Sequence, residues 1–450
     1  MQDNGIRSGR LSAEAYASGF ADIHPPLDRH EAFVEADRCY FCFDAPCQKA
    51  CPTSIDIPLF IRQISTGNDL GAAQTILESN ILGGMCARVC PTETLCEEAC
   101  VREAAEGKPV KIGLLQRHAT DVALQKAEET QTHPFTRAPA TGKTIAVVGA
   151  GPAGLSAAHR LSLLGHNVDL YDAHDKLGGL NEFGIAAYKA TDHFAQREVN
   201  FVLGIGGITP KPGQKLGETL KLKALRKHYD AVFLGIGLAS VNKLGLSGEN
   251  RLKGVEDAIE FIARLRQAQD LSSVPVGKRV VVIGGGMTAI DAAVQAKRLG
   301  AMEVTLVYRR GAEAMKASKY EQDLAKISGV TIRHWAQPAK LHSKDGTVTG
   351  ISFDETTLVK GKLEPSGECF KLAADMVLTA IGQVLVEDDF GGAEVLALKN
   401  GKISVDETRA TSLKGVWAGG DCAATGEDLT VAAVEDGKQA ALSIDQFLRA

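Results

Sequence analysis

Eight of the ten cysteines in this 450-residue chain lie between Cys39 and Cys100, which limits what the N-terminal part can fold into. Their spacing is Cys-x2-Cys-x4-Cys-x3-Cys-Pro from Cys39, then Cys-x3-Cys-Pro-x4-Cys-x3-Cys from Cys86. A disulfide scaffold would need an oxidising compartment and usually a short chain. The polar N-terminal segment also lacks the apolar core of a signal peptide. The pattern therefore favours ligation of metal ions or clusters.

The spacing also separates zinc from iron–sulfur ligation. Zinc sites favour paired Cys-x2-Cys units with four ligands per ion, and the cysteine-rich region contains one such pair. Two-cluster ferredoxins instead have a close run of thiolates that ends in Cys-Pro, and the last cysteine binds the other cluster. Two cubane clusters need eight ligands, which matches the number of clustered cysteines. We expect two [4Fe-4S] clusters, with structural zinc as the alternative.

A dinucleotide-binding turn is predicted at Gly149, Gly151 and Gly154, which form GxGxxG directly after an apolar strand at 145–148. The glycines allow a tight turn, close approach of the backbone to a pyrophosphate and close helix–strand packing. The helix that follows presents free N–H groups to the phosphates. Asp172 ends the next predicted strand, 23 positions after Gly149, where a carboxylate can bind ribose hydroxyls.

Two further segments indicate that this first dinucleotide is FAD. Gly178-Gly179-Leu180 follows the acidic residue, and GVWAGGDCA lies at 415–423. Both segments resemble those of two-dinucleotide flavoprotein reductases, and this resemblance assigns Gly179, Leu180, Gly420 and Asp421 to FAD. The FAD domain is then discontinuous and is completed by residues after about 374.

The second dinucleotide turn has the pattern GxGxxA, and its small residues are Gly284, Gly286 and Ala289. The strand that follows, at 304–308, ends in Arg309 and Arg310, and Lys316 comes one short loop later. A carboxylate at this position suits a free 2′-hydroxyl, whereas arginine suits a 2′-phosphate through charge-assisted bonds. The sequence therefore predicts a nicotinamide dinucleotide site that prefers NADPH to NADH.

Other function classes fit poorly. A disulfide reductase needs two nearby thiols facing its flavin, but Cys369 and Cys422 are 53 positions apart and neither lies in Cys-x-x-Cys. The net charge of −5 without a basic stripe argues against nucleic-acid binding. No run of about 18 apolar residues is present, so we expect no membrane span and a cytoplasmic protein.

These patterns predict an α/β flavoprotein with two Rossmann-like domains and an N-terminal α-helical iron–sulfur domain. Ile57, Phe60, Ile61 and Ile64 form an apolar stripe expected on a helix that packs against the cysteine region. The expected domains are a cluster domain at 1–140, the first part of the FAD domain at 141–265, an NAD(P)H domain at 266–373 and the second part of the FAD domain at 374–450.

The chain resembles the electron-input half of dihydropyrimidine dehydrogenase, in its bacterial two-subunit form. The resemblance runs from about residue 30 to the C-terminus and is close in CFDAPCQKACPTSIDI, LGGMCARVCPTETLCEEAC, IGLLQRHATD and AVEDGKQAA. The small subunit of glutamate synthase is similar in plan, but its second cysteine run usually has a shorter step than the one from Cys90 to Cys96. One departure is FGIAAYKA at 183–190, which lacks the Pro and Arg often found in the family's loop beside the flavin.

The resemblance also implies the ligands. The first cluster would take Cys39, Cys42, Cys47 and Cys100. The second would take Cys51, Cys90, Cys96 and the side chain of Gln116. Cys86 would then be a non-ligand, although the number of thiols alone would include it. An amide oxygen is a poorer donor than a thiolate, so it should shift the cluster's potential.

The activity implied by the resemblance is electron transfer from NAD(P)H to FAD, then through the clusters to a partner subunit that holds FMN. That partner reduces uracil or thymine at the 5,6 double bond. Two alternatives stay open: a reductase like the glutamate synthase small subunit, and a dinucleotide-sensing binding module with structural zinc.

Overall fold

The computed structural model describes residues 5–391, 395–425 and 427–450. The chain forms two compact units. The central unit consists of residues 5–23, 183–191 and 240–384, and the flanking unit consists of the described residues in 24–182, 192–239 and 385–450. In the part of the chain that the structure describes, none of the helices combines the length and the hydropathy needed to cross a membrane.

The α-helices concentrate in the N-terminal third, where they alternate with the cysteine segments. In chain order they are α1 (Ala13–Gly19), α2 (Arg29–Asp37), α3 (Pro46–Ala50), α4 (Ile57–Ser65), α5 (Asp69–Ser79), α6 (Gly83–Val89), α7 (Val101–Glu106), α8 (Ile112–Thr130), α9 (Pro152–Leu163), α10 (Leu180–Phe183), α11 (Phe194–Leu203), α12 (Leu222–His228), α13 (Ala258–Gln267), α14 (Met287–Arg298), α15 (Lys319–Ile327) and α16 (Thr430–Arg449).

The strands form two five-stranded sheets, one three-stranded sheet and several two-residue pairs. In chain order they are β1 (Ile6–Arg7), β2 (Thr144–Val148), β3 (Asn167–Tyr171), β4 (Ile208–Lys211), β5 (Ala231–Leu234), β6 (Ser240–Val241), β7 (Val255–Asp257), β8 (Val276–Gly277), β9 (Arg279–Ile283), β10 (Glu303–Val307), β11 (Thr331–Arg333), β12 (Ala336–Lys344), β13 (Thr347–Val359), β14 (Lys362–Ala373), β15 (Met376–Thr379), β16 (Gln383–Val384), β17 (Leu398–Lys399), β18 (Lys402–Ile403) and β19 (Val416–Ala418).

The flanking unit is built on a parallel sheet with the order β19-β5-β2-β3-β4. The four residues at 145–148 in β2 are all buried, because this strand pairs with a neighbour on each side. A buried parallel strand needs such a continuous apolar run. The carboxyl end of β2 leads into the first glycine turn, so the sheet positions that turn at its edge.

The cysteine-rich part of the flanking unit is helical, as predicted. Ile57, Phe60, Ile61 and Ile64 lie on one face of α4, and each is at most 2% exposed. Asp56 caps this helix by accepting a hydrogen bond from the backbone N–H of Leu59 at 3.0 Å. The apolar stripe therefore forms the core that supports the cysteine segments.

The central unit repeats the parallel architecture with the order β11-β10-β9-β15-β7. An antiparallel sheet of β12, β13 and β14 adds a second layer, with Phe353 and Phe370 stacked at 5.3 Å. The second glycine turn follows β9, again at the carboxyl end of a central strand. The predicted α/β fold with two Rossmann-like domains and an N-terminal helical region is confirmed.

The chain leaves the flanking unit after residue 239 and returns to it at residue 385. β7 and β15 both belong to the sheet of the central unit. The boundaries expected from sequence at residues 265 and 373 lie within this unit. Short apolar strands show where a chain enters a sheet, but only their pairing decides which sheet they join.

Candidate dinucleotide and cluster sites

At two of its three glycines, the first glycine turn has backbone contacts that leave no room for a side chain. A Cβ on Gly149 would overlap the carbonyl of Gly235, and one on Gly154 would overlap the carbonyl of Gly149. A Cβ on Gly151, by contrast, would meet only the Cα of Gly179, at 3.7 Å. Protein packing explains Gly149 and Gly154, whereas the room left at Gly151 fits the approach of a pyrophosphate.

Asp172 reaches the turn from the end of β3. Its Oδ2 accepts a hydrogen bond from the N–H of Ala150 at 2.7 Å, and its Oδ1 accepts one from the N–H of His174 at 2.8 Å. The carboxylate is buried, and its hydrogen bond to the His174 ring raises the pKa of that histidine. Each carboxylate oxygen can accept more than one hydrogen bond. Asp172 can therefore also receive a ribose hydroxyl beside the turn.

The segment at 178–180 packs against the same turn. Gly178 donates its N–H to the carbonyl of Ala150 at 2.9 Å. A Cβ on Gly179, whose φ is +55°, would lie 2.6 Å from the Cα of Gly151. Leu180 begins α10 and is 36% exposed. The structure thus brings this predicted segment to the glycine turn.

The C-terminal segment meets the start of α9, which follows the turn. A Cβ on Gly420 would lie 3.0 Å from the Cβ of Ala153 in α9. Burial raises the pKa of the neighbouring Asp421 carboxyl to about 6, and the nearby Asp428 adds to this effect while Lys402 opposes it. Gly420 therefore packs against the start of α9, and Asp421 follows it directly in the chain.

Asp436 is a supporting residue of this site that the sequence reasoning missed. Its Oδ2 accepts hydrogen bonds from the N–H of Gly420 at 2.9 Å and from the hydroxyl of Thr425 at 2.7 Å, and its Oδ1 accepts one from Arg409 Nε at 2.7 Å. These bonds fix the turn that presents Asp421. A signal was present in the next residue, because a glycine inside a helix marks a close approach. A Cβ on Gly437 would overlap the carbonyl of Ala153.

In the second glycine turn, too, packing explains one glycine and leaves space at another. A Cβ on Gly284 would overlap the carbonyl of Ala380, and Ala289 is fully buried in α14. A Cβ on Gly286 would meet no atom within 4 Å, so packing does not explain this glycine. The open space suits a second pyrophosphate. The Tyr308 ring lies against the turn, 2.5 Å from the position of a Cβ on Gly285.

The basic residues predicted to bind a 2′-phosphate lie just beyond β10. Arg309, Arg310 and Lys316 are exposed. Among the described residues, none forms an ion pair with these three side chains. Their charges are thus available to an anion near the second turn. At the matching position of the first turn, the Asp172 carboxylate is instead held by backbone N–H groups.

The first predicted ligand set lines one small cavity. Its four cysteines are Cys39, Cys42, Cys47 and Cys100. Burial raises the pKa of the Cys47 thiol to about 12, and the nearby Cys39 and Cys100 add to the increase. Ligation requires thiolates, and close thiolates repel unless cations lie between them. The converging thiols therefore fit a positively charged cluster core.

The remaining four cysteines lie close enough to interact. A hydrogen bond with Cys86, burial, and the neighbouring Cys96 and Cys51 all raise the pKa of the Cys90 thiol. Burial also raises the pKa of Cys96, with Cys51 among the contributing neighbours. Cys86 is 2% exposed. Cys51, Cys90 and Cys96 are thus brought together, and Cys86 is beside them.

Gln116 is buried on α8 and faces the beginning of the helix that carries Cys86. Its Nε2 donates to the carbonyl of Gly83 at 2.7 Å. This bond leaves Oε1, the atom that could bind iron, as the remaining acceptor of the amide. Gln116 is therefore bonded to the first residue of α6, the helix that also carries Cys86.

Within the residues covered by the structure, no three His, Cys, Asp or Glu side chains converge at the spacing of a single metal ion. Structural zinc requires such convergence of four ligands on one point. The thiolates of a cubane instead bind separate irons at its corners and stand further apart.

The folds and sites described above have known relatives. A family profile described as pyridine nucleotide-disulphide oxidoreductase matches residues 143–437. The chain belongs to this family. A second profile, described as dihydropyrimidine dehydrogenase domain II with a 4Fe-4S cluster, matches residues 16–128. The protein is thus an oxidoreductase of the flavoprotein type with an N-terminal 4Fe-4S region.

Two curated relatives match along almost the whole chain. The NAD-dependent dihydropyrimidine dehydrogenase subunit PreT of Escherichia coli O157:H7 is 36% identical, covering 95% of this chain and 97% of that protein. The glutamate synthase [NADPH] small chain of Escherichia coli K12 is 34% identical, covering 95% and 94%. The family resemblance predicted from the sequence is confirmed.

A solved structure supports the fold alone. Thioredoxin reductase of T. acidophilum superposes with a TM-score of 0.54 at 19% identity, covering 68% of this chain and 100% of that one.

Proposed function

We propose that this chain oxidises NADPH or NADH and passes the electrons, through FAD and two [4Fe-4S] clusters, to a partner protein. The proposed partner carries FMN and reduces the 5,6 double bond of uracil or thymine. The relatives named as dihydropyrimidine dehydrogenase subunits support this acceptor. The chain would then be the electron-input member of a cytoplasmic hetero-oligomer.

The observation that carries the proposal is that both cysteine sets and the first glycine turn belong to one compact unit. α16 packs along α9, and Ser156 of α9 donates to the carbonyl of Val434 at 2.7 Å. A self-contained two-electron reductase has no use for clusters. Clusters in the same compact unit as a flavin site would instead provide a route by which electrons leave the chain.

Bound FAD would supply the chemistry that connects a two-electron hydride donor with one-electron acceptors such as iron–sulfur clusters. The chain's own residues bind and orient it. Asp172 would accept hydrogen bonds from the ribose hydroxyls, and the backbone at Gly151 would admit the pyrophosphate. Gly179 keeps this approach clear, and Asp421 would face the ribityl and phosphate region.

The second turn would bind the nicotinamide dinucleotide, with Gly286 at the pyrophosphate. Arg309, Arg310 and Lys316 support a preference for NADPH, because a 2′-phosphate supplies the negative charge that these cations can bind. Of the two relatives above, one is named NAD-dependent and the other carries NADPH in its name. We keep NADPH as the preferred co-substrate and NADH as the alternative.

The proposed cluster ligands are those implied by the resemblance. The first cluster takes Cys39, Cys42, Cys47 and Cys100. The second takes Cys51, Cys90, Cys96 and Gln116. Cys86 would then support the second cluster through its contact with Cys90 without binding iron.

A second candidate function is a reductase like the glutamate synthase small chain, with a different acceptor. The near-complete match to that relative supports it. Both candidates share the electron-input chemistry and differ only in the partner that takes the electrons.

Iron and sulfide analysis after anaerobic purification tests the cluster content. We expect about eight irons per chain, from two cubanes. Cys90→Ser should lose about half of the iron, whereas the matched Cys86→Ser should keep nearly all of it. Equal losses in both variants would overturn the Gln116 assignment, and zinc in place of iron would overturn the proposed function.

Steady-state assays test the acceptor. The chain alone should oxidise NADPH with an artificial acceptor and should not reduce uracil. Adding an FMN-bearing dihydropyrimidine dehydrogenase subunit should produce dihydrouracil. Transfer to a glutamate synthase large subunit but not to this partner would favour the second candidate.

A further inference from the structure

α16 carries a lysine whose ammonium group bonds to the backbone of the cysteine-rich region. Lys438 Nζ donates to the carbonyl of Ser79 at 2.9 Å and to that of Thr53 at 3.4 Å. It also forms an ion pair with Glu435 Oε2 at 2.6 Å, and its side chain is only 14% exposed. Withdrawing an ammonium from water is costly unless it is paired and hydrogen-bonded. The position of this charge is therefore fixed by several contacts.

Thr53 connects this lysine to a predicted cluster ligand. Thr53 is 2% exposed and lies two positions after Cys51. Its hydroxyl oxygen is 3.3 Å from the Sγ of Cys51. A thiolate has no proton to donate, so an iron-bound Cys51 must accept this hydrogen bond from Thr53. One residue thus contacts both the ammonium of Lys438 and the sulfur of Cys51.

The ammonium of Lys438 lies against the residue that contacts the sulfur. Lys438 Nζ donates to the backbone carbonyl of Thr53, and the hydroxyl of the same threonine contacts Cys51 Sγ. The positive charge is therefore one residue away from this sulfur. Positive charge and hydrogen bonds to sulfur both favour the reduced form of a cluster.

We propose that Lys438, acting through Thr53, is a positioning residue that raises the reduction potential of the cluster bound by Cys51. The inference rests on the proposed function, because it requires that cluster. Asp436, two residues earlier on α16, holds the Gly420 turn of the flavin site. Residues two apart on a helix face different directions. One helix, α16, therefore holds both the Gly420 turn of the flavin site and the Lys438 ammonium that bonds to Thr53.

Redox titration of the purified chain, followed by electron paramagnetic resonance, tests this inference. The signal lost in the Cys90→Ser variant identifies the second cluster, and the other cluster is an internal reference. Lys438→Met should lower the potential of the second cluster by at least about 59 mV, a tenfold change in its one-electron equilibrium. Lys438→Arg should restore most of the shift. Lys223→Met, which removes an exposed lysine of α12, is the control and should have no effect.

Thr53→Val gives an independent measurement, because it removes the hydroxyl and keeps the shape of the side chain. It should lower the same potential, which tests the hydroxyl that connects Lys438 to Cys51. If Lys438→Met loses iron, Lys438→Gln, which removes the charge and keeps a hydrogen-bond donor, tests the lysine by the same criterion. An unchanged second-cluster potential, or an equal shift of both clusters, would overturn the role of Lys438. If the wild-type chain shows no cluster signal, it is the proposed function that fails.

Discussion

Glu198 gives a prediction about stability that can be worked out from its surroundings. This residue of α11 is 1% exposed, and its Oε1 accepts a hydrogen bond from the N–H of Met85 at 2.9 Å. Burial raises the pKa of its carboxyl to about 8, although the amides of Met85 and Gly84 and the nearby Arg88 act in the opposite direction. At neutral pH, Glu198 is therefore mainly a neutral acid.

The direction of the pH effect follows from the two pKa values. Because the folded chain holds this proton more tightly than the unfolded chain, the free energy of unfolding falls as pH rises from about 4.5 to about 8. Each pKa unit corresponds to about 1.4 kcal/mol, so the full loss is on the order of 4–5 kcal/mol. Glu198→Gln has the same shape and cannot ionise, so the fall in unfolding free energy caused by Glu198 should be absent from this variant.

Urea denaturation of both proteins at pH 5, 7 and 9 measures the effect. The buried amide that the substitution introduces carries its own cost, but this cost does not change with pH. The comparison is therefore the change in unfolding free energy between pH 5 and pH 9. Glu129→Gln on α8, which alters an exposed carboxylate, should follow the wild type. Parallel losses of stability in Glu198→Gln and the wild type would refute the assignment of a neutral buried acid.

Gly179→Ala should lower the FAD content of the purified protein at least tenfold, because the new Cβ would press on the Gly151 backbone. Gly206→Ala is the control and should not lower it, because Gly206 also has a positive φ but has no atom within 4 Å of a Cβ. Changing Arg309 and Arg310 together to Ala should raise the KM for NADPH about tenfold or more and leave that for NADH nearly unchanged, as steady-state kinetics would reveal. Burial lowers the pKa of His159 well below its usual value, so the free energy of unfolding should fall as pH drops below about 6.5. His159→Gln should lose less stability than the wild type in this range, as unfolding measured at a series of acid pH values would reveal.

Much of the local structure could be predicted because it depends on neighbours in sequence. The strand expected to end at Asp172 is observed as β3, which ends at Tyr171. The apolar stripe beginning at Ile57 is the buried face of α4. The two glycine turns follow β2 and β9 as expected. Each of these features is set by a short pattern and by steric limits that act over a few residues.

The contacts that complete the sites join distant segments and were harder to foresee. Asp436 supports the turn at Gly420 from a helix, and nothing in its own position marks it as different from a solvated carboxylate. The bond from Gln116 to Gly83 likewise depends on how α8 packs against α6. Sequence spacing predicts which residues can bind a group, whereas the packing of separate helices decides which backbone and side-chain atoms hold them in place.

The strand order of the flanking sheet also has a consequence for how the chain is made. β5 pairs with β2 on one side and with β19 on the other, and about 180 residues separate β5 from β19. At 5–20 residues per second, a ribosome needs roughly 10–40 s to synthesise that interval. Until then, one edge of β5 has no strand partner in its own sheet, while the whole of the segment at 240–384 emerges. An unpaired edge invites pairing with another chain. The growing polypeptide is therefore most exposed to mispairing of β5 while the inserted segment at 240–384 is being synthesised.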